Sequence, residues 1–98
     1  MTVPINFRLE VLDEIDGAIR WYEKQRVGLG DEFFSALLNQ FDLIRENPEG
    51  WAILYRKVRA CPMRRFPYVI YYRVQPDGVI VIAVQHGHRH PHAWRRRA

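Results

Sequence analysis

Four histidines alternate near the end of the chain, His86, His88, His90 and His92, inside the run QHGHRHPHAWRRR. On one continuous strand they would share a face, the arrangement in which imidazoles ligate a transition metal. Gly87 and Pro91 interrupt such a strand, and no cysteine or carboxylate accompanies the set. The expected form is therefore a polar tail leaving the sheet, with no metal and no cofactor. An imidazole with an unperturbed pKa of about 6.5 also suits a general base. If the chain cuts a nucleic acid, His86, Arg89 and Arg65 are the residues for that work, because the reaction needs a proton acceptor and cations near the scissile phosphate. Arg59, Arg64, Arg65, Arg73 and Trp94 form the expected contact surface for a target or partner. Plain solvation of these arginines is the alternative.

The charge is divided unevenly along the chain. Residues 1–50 hold five Lys/Arg against ten Asp/Glu, whereas residues 51–98 hold ten Lys/Arg against Asp77 alone, and the net charge is +4. Such a basic half attracts polyanions or an acidic protein partner. Residues 95–98 read as a basic tail.

These residues need a scaffold, and the stretch Phe66 to Val84, FPYVIYYRVQPDGVIVIAV, supplies its centre. Both arms are β-branched or aromatic, and Pro76, Asp77 and Gly78 carry turn chemistry, so the stretch reads as a hairpin. Ile70, Tyr72 and Val74 fall on one face of the first arm, and Val69, Tyr71 and Arg73 on the other. The second arm is apolar on both faces and should be central in its sheet, covered by helices on both sides. Upstream, Val3 to Arg8 alternates as a short first strand. Leu12, Ile15, Ala18, Ile19 and Tyr22 recur at helical spacing over residues 10–25, and Phe33, Phe34, Leu37, Leu38, Phe41 and Ile44 do so over 31–45. Gly28 and Gly30 separate the two, which gives a helical hairpin. Residues 55–65, YRKVRACPMRR, read as one basic strand.

Length bounds the rest. A chain of 98 residues makes one domain, residues 1–98. Cys61 is the only cysteine, so no intrachain disulfide forms, which suits a reducing compartment. The opening MTVPINFRLE has no signal-peptide pattern, and no apolar run approaches the ~20 residues of a membrane span. A cytoplasmic protein without membrane contact is expected.

The succession of AIRWYE, the GLG link, a Phe-rich helix ending in NP, RRFPYVIYYRV, DGVIVIAVQH and RHPHAW resembles the RelE/ParE superfamily of bacterial toxins, and more narrowly its ParE-like plasmid-stabilisation branch. The resemblance runs from about Val3 to Trp94. It implies an α+β fold with an N-terminal strand and a two-helix hairpin packed on a small, mainly antiparallel sheet of about four strands. It also implies a cognate antitoxin that binds the toxin in a hetero-oligomer, with Trp21, Phe34 and Tyr68 expected in the antitoxin groove. RelE-like members cleave messenger RNA on the ribosome, and ParE-like members block DNA gyrase. Val69 stands where the ribonuclease branch commonly has an Arg, and Trp94 where an acid/base Tyr would be sought; indole cannot do that job. The resemblance therefore favours a gyrase-directed toxin, with a ribosome-dependent endoribonuclease or a non-toxic antitoxin-binding remnant as the alternatives.

Overall fold

The computed structural model describes residues 2–98. Strand β1 (Ile5–Phe7) leads into helix α1 (Leu9–Gln25) and helix α2 (Leu29–Glu46); strands β2 (Ile53–Tyr55), β3 (Val58–Pro62), β4 (Tyr68–Gln75) and β5 (Gly78–His86) follow, then a 3-10 helix, Ala93–Arg97.

The expected helical hairpin forms, and its sharp link has a local cause. Gly28 takes the left-handed conformation at φ 88°. The Glu23 carboxylate then accepts the backbone N–H groups of Gly28 and Gly30, satisfying donors at the start of α2 that have no helical acceptor. A side chain at Gly30 would place Cβ 2.7 Å from the Ile19 carbonyl, so glycine lets the two helices approach there.

Each helix turns a narrower apolar face inward than its periodicity predicts. Val11, Ala18 and Tyr22 of α1 and Phe33, Leu37, Phe41 and Ile44 of α2 are buried. Leu12, Phe34 and Leu38, expected in the same stripes, are 54, 40 and 45 % exposed.

The sheet has five strands in the order β1-β5-β4-β3-β2. β1 joins β5 in parallel and all other pairs are antiparallel. The fifth strand comes from the region read as one basic strand over 55–65. That region is a hairpin, turning at Arg56 (φ 45°) and Lys57 (φ 69°). Positive φ at both central residues is the conformation that Asn-Gly or Gly-Gly normally announces, and an Arg-Lys pair gives no such signal.

β5 is central, as its composition requires, but its two faces are covered differently. The helices pack on Ile70, Tyr72, Val79, Val81 and Val84. On the other face Val58, Tyr71, Ile82 and Ala83 are covered by Trp94. A bulge sorts the two sets: Tyr71 pairs with Ala83 and Tyr72 with Val81, so Ile82 is the extra residue and lies on the same side as Ala83. The tail expected to leave the sheet thus returns to it. Trp94 stacks on Tyr71 with ring centroids 4.4 Å apart and is 2 % exposed. Burying an indole of this size contributes roughly 4–6 kcal/mol as an upper bound, which offsets a large part of the entropy lost in ordering the short tail.

Candidate functional site

The histidine series does not form a metal site. β5 ends at His86 and the chain turns, with His90 N–H donating to the His86 carbonyl at 3.0 Å. No group of three His, Cys, Asp or Glu side chains among the described residues is placed to hold a metal ion.

His86 instead lines a cleft of about 310 Å³ between α1 and the ends of β4 and β5, together with Asp13, Glu14, Tyr68, Gln85 and Arg89. Its Nδ1 accepts the backbone N–H groups of His88 and Arg89, both at 3.1 Å. Two donors on Nδ1 put the ring proton on Nε2, so the lone pair a general base needs is already used. Burial, followed by repulsion from Arg89, His88 and His90, pushes the imidazole below its ordinary pKa, so it stays neutral near pH 7. Arg89 lies over the Trp21 ring at 5.2 Å, and the Tyr68 and His86 rings meet edge-on at 5.5 Å. Burial also pushes the Tyr68 hydroxyl up, and Arg89 pulls it back. Gln85 Nε2 donates to Glu14, while Gln85 Oε1 is buried without a partner among the described residues.

The arginines expected at a contact surface divide by role. Arg59 donates to the Glu49 and Trp51 carbonyls and so fastens the loop before β2. Arg65 pairs with Glu32 on α2, and Arg26 joins it there. Those two guanidiniums hold the Glu32 carboxyl below its usual range. Arg64 and Arg73 make no ion pair among the described residues. Trp94 packs in the second core, so its ring is not available at the surface.

Trp21, Phe34 and Tyr68 do not share one groove. Trp21 and Tyr68 belong with His86 and Arg89. Phe34 lines a separate apolar cleft of about 300 Å³ on the outer side of the helical hairpin, with Phe7, Leu12, Ile15, Ile19, Leu38 and Phe41. Among the described residues its only charged lining residue is Asp16, whose side chain is largely exposed. The narrow inward faces of α1 and α2 account for this cleft: the outer edge of each stripe has nothing to cover it.

Sequence reasoning missed a pair that ties the tail to the fold. The Glu14 carboxylate accepts the Val84 N–H and the Arg97 guanidinium, and Arg97 also donates to the Ile82 carbonyl. Glu14 had looked like one more acid complementing the dipole of α1, and Arg97 like part of a free tail.

These features define a small α+β protein with a helical hairpin on a mixed sheet and an open apolar groove. A family model described as "ParE toxin of type II toxin-antitoxin system, parDE" matches residues 5–91, and the chain belongs to that family. Among solved structures, it is similar to one titled "Chromosomal ParDE TA system from P. aeruginosa", with a TM-score of 0.77 over 87 % of this chain and 96 % of that one. At 11 % identity that likeness is one of fold. No curated protein matches the chain. No helix among the described residues is long and apolar enough to cross a membrane.

Proposed function

We propose that this ParE-family toxin acts on DNA gyrase by binding, without covalent chemistry of its own, and is neutralised in the cytoplasm by a cognate antitoxin. The observation that carries this reading is the state of His86. A ribonuclease acting here would need a base for the 2′-hydroxyl, and His86, the imidazole that closes β5 at the cleft, spends its lone pair on two backbone N–H groups. Arg65, the other cation of that scheme, is engaged by Glu32.

The antitoxin seats an amphipathic segment in the groove of Phe34, Leu38 and Leu12, anchoring apolar side chains at helical spacing. Antitoxin carboxylates meet the basic strands, with Arg64 and Arg73 free to receive them. The test is plasmid supercoiling by purified gyrase with excess toxin, beside transcript integrity on translating ribosomes. Inhibited supercoiling with intact transcripts is expected; normal supercoiling or cut transcripts overturn the reading.

A further inference from the structure

We infer that the β2–β3 turn and the C-terminal 3-10 helix form a patch that binds the phosphate backbone of duplex DNA. The inference goes beyond the gyrase reading and does not rest on it. Arg56 and Lys57 both hold positive φ, a region that costs any residue with a Cβ and that Asn and Gly occupy more easily. Among the described residues neither side chain makes an ion pair or donates a hydrogen bond to the protein, and the one contact between these cations and a ring is that of Arg56 with its neighbour Tyr55. The strand pairing imposes the turn but calls for no cation at either place, so two long cations there point to a ligand outside the fold.

The surroundings extend the charge. The Arg56 guanidinium lies 5.1 Å from the Tyr55 ring centroid and that of Arg95 lies 5.3 Å from the same centroid. Tyr55 packs edge-on to Trp94, so the buried indole fixes the 3-10 helix and sets Arg95 beside the turn. Arg73 has the strand parity of Tyr71 and therefore projects from this same face. It lies one residue beyond the Arg59–Tyr72 pair, at the end of the sheet where the turn sits. Arg56, Lys57, Arg73 and Arg95 have no carboxylate partner among the described residues. Asp77, in the β4–β5 turn at that end, is the one acid of residues 51–98.

The chemistry favours duplex over single-stranded nucleic acid. Single strands are held by open aromatic rings on which bases stack. Here Trp94 is buried and guanidiniums flank Tyr55, which leaves cations on a projecting turn. That surface reads phosphates and no sequence.

The test is fluorescence anisotropy of purified toxin with a labelled mixed-sequence duplex, titrated from about 50 to 200 mM salt. Four phosphate contacts at about 0.9 each predict a slope of log K against log salt of about −3 to −4. The variant combining Arg56→Asn with Lys57→Gly removes two charges and relieves the turn. It should raise Tm by about 4 °C or more while lowering affinity at least tenfold and the slope to about −2. Arg95→Ala should lower the slope by about one without touching the turn. Arg20→Ala with Lys24→Ala, an equal charge change on α1, should keep affinity within twofold.

Undiminished binding by the turn and Arg95 variants overturns the patch. So does an equal loss in the α1 variant, or tighter binding of a single strand than of the duplex. Gyrase is absent from this assay. A toxin that inhibits supercoiling yet ignores naked duplex overturns the patch alone, and one that binds duplex through the turn yet leaves gyrase active overturns the gyrase reading alone.

Discussion

The Glu14 carboxylate and the Arg97 guanidinium meet at 3.0 Å beside β5, and together they cap the backbone that β1 leaves open. β1 pairs only with Val79, Ile80 and Val81. Beyond it, Val84 N–H is accepted by Glu14 and the Ile82 carbonyl is donated to by Arg97, so an otherwise bare strand edge is satisfied by side chains. The pair also pins the 3-10 helix that covers the second core.

Removing one partner exposes this coupling. Arg97→Ala takes the side-chain donor from the Ile82 carbonyl and the cation from a partly buried carboxylate that keeps only Val84 N–H and Gln85 Nε2, and should destabilise the fold by about 1–3 kcal/mol. Urea unfolding measures it, and hydrogen exchange should show faster opening at residues 93–97. A change under about 0.3 kcal/mol would mean the tail is not held by this pair.

Tyr72 gives a pH-dependent prediction at the other end. Its ring is fully buried and its hydroxyl donates to the Pro48 carbonyl at 2.6 Å, fixing the loop between α2 and β2. Burial is the main cause that pushes the hydroxyl up to about 12. A raised folded-state value means the native state holds the proton that the unfolded state releases from about pH 10. Stability should therefore be complete below pH 10 and fall as pH rises from about 10 to 12, by no more than about 3 kcal/mol. Tyr72→Phe should cost about 1 kcal/mol at pH 7 and flatten that alkaline decline.

His86 has the opposite sign. Its folded-state value lies below the ordinary one, so the unfolded chain binds the proton first. The contribution is whole above about pH 6.5 and is lost as pH falls through the folded-state value, because protonating Nδ1 breaks the two bonds from His88 and Arg89 N–H. Imidazole NMR should show a titration midpoint below that of free histidine, with amides 88–90 shifting together. A midpoint at or above the free value would remove the case against His86 as a base.

The apolar groove supplies the partner prediction. Leu38→Glu places a charge where the proposed antitoxin anchors and should weaken the complex by tenfold or more, with toxin stability within about 0.5 kcal/mol because Leu38 is already 45 % exposed. Calorimetry with the antitoxin reads the first and thermal unfolding the second.

Much of the fold was legible because its signals are local. Helical spacing, the Gly28–Gly30 break and the Pro-Asp-Gly turn each identify one element, and the all-apolar VIVIAV run correctly marks β5 as central. What stayed hidden depends on partners distant in sequence. Arg56 and Lys57 give no sign of a turn, because the turn is imposed by pairing of the flanking strands. Trp94 looked like a surface residue because its partners, Tyr71 and Ile82, sit on a strand face whose cover was sought in the helices. Histidine alternation suggested a shared face, but the turn after His86 ends the strand. At the candidate site the residue types were readable and their engagements were not. Arg59 and Arg65 are spent on a loop and on Glu32, which no spacing along the chain reveals.

The most direct measurement is gyrase supercoiling of relaxed plasmid with purified toxin, repeated after adding the cognate antitoxin. Supercoiling should stop with excess toxin and return with the antitoxin, while transcripts on translating ribosomes stay whole. Full supercoiling at excess toxin, or transcripts cut by a toxin that depends on His86, would contradict the gyrase reading.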